Sequence, residues 1–119
     1  MSISFEKYMK LIFFILLSCQ IIAQDIVWTN NTPLIRSYSS PRTTDLNNDG
    51  ISDMVIGGGV DGFPSPYGVI AIDGFNGNTI WTLSTRNEMF ASPQFFDYTG
   101  DNIDDILIAG RDAELRLIN

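Results

Sequence analysis

The sequence predicts an all-β protein built from short antiparallel strands. Three observations lead to this fold class: the apolar residues fall in short runs rich in Val and Ile, these runs are separated by Gly, Pro, Asn and Asp, and one segment of the chain is repeated. Short β-branched runs bounded by turn residues are typical of strands, whereas a helix needs a longer stretch of 3.6-residue periodicity. The repeated segment contains no such stretch.

The repeat is the most informative feature of the chain. Residues 40–58 and 92–110 align without a gap at an offset of 52, and eight of the 19 aligned residues are identical. A second echo joins Trp28 to Trp81, which lie 53 residues apart in Ile-Val-Trp-Thr and Thr-Ile-Trp-Thr. Two echoes at nearly the same offset predict a protein made of repeated units.

Each element of the first unit is expected from its residues. Asp-Gly and Asn-Gly pairs at 73–77 mark a tight turn between two strands. Gly and Pro residues make 58–67 a loop. The expected strands are Arg42–Thr44, Asp53–Gly57, Gly68–Asp73 and Asn78–Leu83.

A unit of four strands at this offset is close to one blade of a β-propeller, which has four strands in roughly 40–50 residues. Repeat 1 then covers about 40–91, repeat 2 covers about 92–119, and an N-terminal strand at 25–29 matches a fourth strand. We therefore expect about one and a half blades, an incomplete propeller, within 24–119. Because propellers close with about 4–8 blades, the chain is interpreted as an N-terminal fragment that requires downstream blades.

Residues 1–23 have the features of a secretory signal peptide: two Lys residues, an apolar run at 11–17 and a small residue, Ala23. The run is too short to cross a bilayer, which takes about 20 residues. Cleavage after Ala23 would leave a secreted or cell-surface chain without a transmembrane span. Two alternatives stay open: Leu-Leu-Ser-Cys resembles a lipobox that would place a lipid on Cys19, and the run could be a buried helix.

Composition excludes several function classes. The formal net charge is −7, so the chain lacks the basic surface that nucleic-acid phosphates require. There is no His, which is the commonest metal ligand and general acid or base. There is one Cys, so an intrachain disulfide framework and Cys/His zinc sites are excluded.

Two Asp-rich loops match the first nine positions of a calcium loop, with oxygen side chains at positions 1, 3, 5 and 9 and a backbone carbonyl at position 7. Calcium takes 6–8 hard oxygen ligands, and alternate residues of a tight turn aim them at one point. The alternative is that these residues close Asx-turns without metal. The expected ligands are Asp45, Asn47, Asp49, Ile51 and Asp53 in the first loop and Asp97, Thr99, Asp101, Ile103 and Asp105 in the second.

Residues 45–57 resemble the motif of FG-GAP and VCBS-type repeats, found in integrin α-subunit-like propellers and secreted bacterial proteins. Residues 68–81 also resemble quinoprotein-like propeller repeats, which share an Ala-x-Asp-x-x-x-Gly-x-x-x-Trp pattern. The resemblance implies a propeller with structural calcium in its blade loops. It does not imply a quinone cofactor, because the residues that bind one come from several blades and none of that set is visible.

The expected function is that of a binding or scaffold module: an exported, calcium-stabilised propeller segment that recognises an extracellular glycan or protein. One alternative is that the chain is part of a propeller enzyme, such as a lyase, hydrolase or quinoprotein-type dehydrogenase, whose active site lies outside it. Another is a truncation that does not fold stably alone, since repeat units are stabilised largely by their neighbours. No catalytic residue is expected within the chain.

Overall fold

The computed structural model describes residues 25–32, 35–36 and 39–119. The predicted signal peptide, its cleavage after Ala23 and the alternative lipidation of Cys19 lie outside the described residues. Seven strands and no helix are found in the described part: β1 Arg42–Thr44, β2 Asp53–Gly57, β3 Ser65–Ile72, β4 Thr79–Thr85, β5 Gln94–Phe96, β6 Asp105–Ala109 and β7 Leu115–Ile118. The all-β expectation is confirmed.

The strands form two antiparallel sheets. Sheet 1 has the order β1-β2-β3-β4, and sheet 2 has the order β5-β6-β7. Equivalent strands pair in equivalent registers, since Met54 faces Ile72 in sheet 1 and Ile106 faces Ile118 in sheet 2. The β3–β4 turn is closed by bonds from the Asp73 N–H to the Asn78 carbonyl and from the Gly77 N–H to the Asp73 carbonyl, both 2.8 Å. Gly77 has φ +76°, which is why glycine suits this turn.

Two of the predicted boundaries were wrong. The predicted loop over 58–67 ends early, because β3 begins at Ser65 and includes Pro66. Proline cannot donate to the ladder, but the pairing with β4 is irregular between Ser65 and Val69, and Pro66 lies in that irregular part. β4 ends at Thr85 rather than Leu83, since Ser65 pairs with Thr85.

The N-terminal strand expected at 25–29 has no strand partner among the described residues, and no strand is assigned to it there. Side chains hold the segment instead. The Trp28 indole N–H donates to the Gly74 carbonyl at 3.0 Å, and its ring covers Gly77, where an added Cβ would lie 2.6 Å from the ring. The Asn30 amide donates to the Gly77 carbonyl at 2.8 Å. The segment therefore caps the β3–β4 turn.

The core lies between the two sheets, which meet through opposite faces. Sheet 1 contributes Val55 of β2 with Val69 and Ala71 of β3, whereas sheet 2 contributes Ile106 and Ile108 of β6. In the 52-residue alignment, Val55 matches Leu107, which is on the other face of β6 from Ile106 and Ile108. The buried core residues are Val55, Val69, Ala71, Met89, Ile106 and Ile108.

Two close contacts fix the spacing between the sheets. A Cβ at Gly57 would overlap the Met89 carbonyl oxygen and lie 3.0 Å from the Ile108 side chain. The Met89 N–H donates to the Gly58 carbonyl at 2.9 Å, so the residues that join β4 to β5 are bonded to sheet 1. The stacking of the sheets thus depends on a glycine at a point where the β4–β5 connection and one side chain of sheet 2 approach sheet 1.

Candidate metal-binding loops and the buried acidic groups

The two Asp-rich loops adopt the same local structure. In the first, the Asp45 carboxylate accepts the N–H groups of Asp49 at 3.2 Å and Gly50 at 2.9 Å. In the second, Asp97 accepts those of Asp101 at 3.1 Å and Asn102 at 2.9 Å. The matching bonds arise because Asp at position 1 satisfies the backbone of a tight reversal.

Backbone conformation also matches between the loops. Position 4 has positive φ in both, +58° at Asn48 and +79° at Gly100. Position 6 does so too, +85° at Gly50 and +68° at Asn102. Gly and Asn are the residues that adopt this region with least strain, so Asn102 replaces the glycine without changing the turn.

Position 5 carboxylates bond within the loops. Asp49 accepts the Ile51 N–H at 2.8 Å, and Asp101 accepts the Ile103 N–H at 2.9 Å. In the first loop, the Asn47 amide also donates to Asp49 at 3.1 Å. These side chains are exposed, unlike the aspartates at position 9.

The aspartates at position 9 are buried and tie each loop to its sheet. Asp53 is 0% exposed and accepts the Leu46 N–H at 2.9 Å and the Gly74 N–H at 3.0 Å. Asp105 is 1% exposed, and one of its oxygens accepts the N–H groups of Tyr98 at 2.7 Å and Thr99 at 2.8 Å. Its other oxygen has no hydrogen-bond partner among the described residues.

The donor chemistry suits calcium, because every predicted ligand offers oxygen. The grouping is less favourable: no three carboxylates of the described residues are placed together to hold a metal ion. The hydrogen bonds instead display the Asx-turn arrangement that the sequence left open. Asp104, which precedes β6, is directed away from the second loop and accepts the Thr44 hydroxyl at 2.6 Å, joining the two sheets.

A second polar cluster, which the sequence did not indicate, lies at the opposite end of the sheets. Glu88, in the β4–β5 connection, is fully buried, and one carboxylate oxygen accepts the Arg111 Nε–H at 3.0 Å. Arg111 also pairs with Asp61 at 3.0 Å. The hydrogen bond that Arg111 donates to Glu88, with the nearby charge of Asp61, raises the pKa of Arg111. The other Glu88 oxygen is buried without a hydrogen-bond partner among the described residues.

The same cluster holds the β6–β7 turn in place. The Asn87 amide donates to Asp112 at 2.7 Å, while its oxygen accepts the Gly62 N–H at 2.8 Å. Glu114 is buried and accepts the Arg116 Nε–H at 2.7 Å. A lone Glu between two strands is ordinarily exposed, so no sequence signal distinguishes Glu88 from a solvated residue.

Comparisons with known proteins found no match. No protein-family model, no curated protein and no solved structure is similar enough to this chain to identify a family. Among the described residues, no helix has the length and apolar character needed to cross a membrane.

Proposed function

We propose that this chain is part of an exported, calcium-stabilised β-propeller of the FG-GAP or VCBS type that acts as a binding or scaffold module for a glycan or protein. The stacking of the sheets is the observation that carries the proposal. The face of sheet 1 that carries Val55 packs against the face of sheet 2 that carries Ile106. A contact between unlike faces can be repeated by a further unit, whereas a contact between like faces closes with two.

The outer face of sheet 2 supports such a further unit. Leu107 occupies there the position that Val55 occupies in sheet 1, and β7 adds Leu115 and Leu117, which are 65% and 45% exposed. Phe96 of β5 is 40% exposed on the same sheet. An apolar sheet face of this kind is normally covered, so we expect downstream blades to pack against it.

Calcium has a structural role in this proposal. In the first loop Asp45 and Asp49 are bonded to the same short stretch of backbone, with Asn47 between them. Carboxylates held this close repel one another, and a cation on their exposed side would relieve that repulsion. Asp97, Thr99 and Asp101 would hold a second ion in the same way. The loops would then be stiffer with calcium than without it.

Exposed aromatic residues at the end of the sheets that carries the Asp-rich loops support a binding role. Phe75 in the β3–β4 turn is 68% exposed, and Tyr98 in the second loop is 69% exposed. Tyr98 packs edge-on against Phe96, with ring centroids 5.8 Å apart, so its ring is held in place. Aromatic rings that are exposed and supported from one side suit contact with a sugar ring or a protein surface.

Thermal unfolding with and without calcium tests the metal part of the proposal. About 1 mM calcium should raise the Tm by several degrees over the value in EGTA, because a ligand that binds the folded state stabilises it. The double variant Asp49→Asn with Asp101→Asn should lose that increase. Asp104→Asn, which removes one carboxylate charge outside the ligand set, should keep it. Equal melting in calcium and EGTA would contradict a calcium role.

Binding of the fluorescently labelled chain to a glycan array tests the recognition part. Retention should depend on calcium and fall in a Phe75→Ser and Tyr98→Ser double variant. Phe63→Ser is the matched control, because Phe63 is 65% exposed but lies in the β2–β3 connection at the opposite end. Equal retention of the wild-type chain and the double variant would contradict a site at the loop end.

A further inference from the structure

The outer edge of β4 differs from the other strand edges of the two sheets. Among the described residues β4 pairs with β3 alone, and β1, β5 and β7 are the remaining edge strands. β1 and β5 have three residues each, and β7 carries Arg116. β4 has seven residues, Thr-Ile-Trp-Thr-Leu-Ser-Thr, without a charge, a proline or a glycine. Short length and charged side chains normally keep an edge strand from pairing with another chain, and β4 has neither.

The described part of the N-terminal segment leaves this edge open. The Asn30 amide donates to the Thr79 hydroxyl at 3.2 Å, at the start of β4. Further along, a Cβ added at Gly58 would lie 3.1 Å from the Ile35 side chain, and the Arg36 N–H donates to the carbonyl of residue 59 at 3.1 Å. These later contacts lie just beyond the end of β2, so the described residues of the segment lead away from β4 and do not follow its edge.

The residues of β4 are complementary to a second copy of the same strand. Thr82 is the midpoint of Thr79–Thr85, so a two-fold axis beside it would place two β4 strands antiparallel with the whole strand overlapping. Trp81 of each copy would then stand beside Leu83 of the other. Both side chains are half-buried against the core, and this pairing would cover the apolar surface that the edge leaves open. The extra residue of the irregular β3–β4 pairing, Ile80, lies outside this central part.

Charges at the two ends of β4 also match in this arrangement. The chain has a net charge of −7, so two copies repel wherever their acidic surfaces meet, and β4 itself is uncharged. Arg86 follows β4, and its side chain is 70% exposed and 3.9 Å from the carboxylate of Glu114. It would lie beside Asn78 of the second copy, whose carbonyl accepts the Asp73 N–H at 2.8 Å. Each end of the paired strands therefore brings a guanidinium near a turn that carries a carboxylate.

We propose that the β4 edge is a self-association site, at which two copies of this chain pair antiparallel around Thr82 into a continuous sheet with four strands from each copy. A second copy is the occupant that fits, because it supplies both the apolar neighbours for Trp81 and Leu83 and the acidic turn for Arg86. The pairing uses sheet 1 alone. It goes beyond the proposed binding role and requires neither calcium nor a further unit.

Sedimentation velocity of the 119-residue chain in EGTA, over a range of micromolar concentrations, measures the association. Thr82→Lys and Thr82→Glu each place like charges opposite one another at the axis and should weaken dimerisation about fivefold or more. A mixture of the two variants should dimerise again, because Lys then faces Glu, and this recovery shows that both variants are folded. Thr43→Lys is the matched control, since Thr43 is an exposed threonine on the same face of sheet 1, in β1, and should leave dimerisation unchanged.

Hydrogen exchange of the wild-type chain locates the contact without any variant. A rise in protein concentration should slow exchange at those amides of Thr79–Thr85 that do not donate to β3. Exchange in β4 that does not depend on concentration, or a mixture of the two Thr82 variants that stays dissociated, would overturn the proposal. Association that is lost in Leu117→Glu but kept in Thr82→Lys would assign the contact to sheet 2 and would overturn it as well.

Discussion

Replacing Asp53 by Asn should destabilise the chain strongly, although the two side chains have nearly the same shape. Asp53 is fully buried, and its two oxygens accept N–H groups from Leu46 and Gly74. Asn offers one carbonyl oxygen, so its NH₂ group must face one of the two N–H donors. An unsatisfied buried donor costs about 1–3 kcal/mol and the lost charge assistance adds about 1, giving an expected loss of about 3 kcal/mol.

The same substitution at Asp105 should cost much less. One oxygen of Asp105 takes both loop N–H groups, from Tyr98 and Thr99, and an Asn carbonyl can replace it. The other oxygen has no partner, so the NH₂ group that takes its place breaks no bond. The change also removes a buried charge, and we expect a net effect within about 1 kcal/mol of wild type.

Urea denaturation followed by tryptophan fluorescence measures the difference. Trp28 contacts the β3–β4 turn and Trp81 packs against the core, so the signal reports on sheet 1 and its turn. Measurements in EGTA remove any contribution from calcium, and equal m-values would show that both variants unfold from the same compact state. A cost at Asp105 equal to that at Asp53, or larger, would refute the reasoning from hydrogen-bond partners.

Two further changes test the contacts between the sheets by the same denaturation assay. Arg111→Met should lower the free energy of unfolding because it leaves Glu88 buried and unpaired, and the double change with Glu88→Gln should recover part of this loss. The pKa of Arg111 is raised, so its contribution is present at all pH values below its ordinary range and should not change between about pH 7 and pH 9. Gly57→Ala should cost about 2 kcal/mol or more, since its Cβ would overlap the Met89 carbonyl oxygen. Gly62→Ala, where no atom lies within 4 Å but φ is +81°, should cost about 1 kcal/mol, and an equal cost at both glycines would contradict the packing argument.

The parts of the fold that could be predicted from sequence are those set by neighbouring residues. Asp45 and Asp97 accept N–H groups from residues four and five positions ahead. The residue types within such a turn are enough to predict it. The Asp-Gly and Asn-Gly pairs likewise define the β3–β4 turn. The strand positions follow from β-branched runs between such turns.

The remaining features depend on distant parts of the chain. Trp28 echoes Trp81 in sequence, yet it caps a turn instead of lying in a strand, because its indole N–H bonds to Gly74, 46 residues away. Glu88 is buried because Arg111, from another strand connection, reaches it. Position 9 of each loop was predicted as a calcium ligand. In the first loop this residue, Asp53, accepts the Gly74 N–H, and this bond joins two separate turns. No local pattern predicts such a bond.

Among the described residues, sheet 2 lacks contacts that sheet 1 makes. Its Leu107 face corresponds to the face by which sheet 1 packs, and its β7 edge corresponds to the edge that β4 covers in sheet 1. The unpartnered Asp105 oxygen lies in that same sheet. These features have one physical cause: the interactions made by sheet 1 are not all supplied to sheet 2 by the described residues. In the proposed propeller, a further unit would cover this face and this edge, and both contacts should stabilise the second loop.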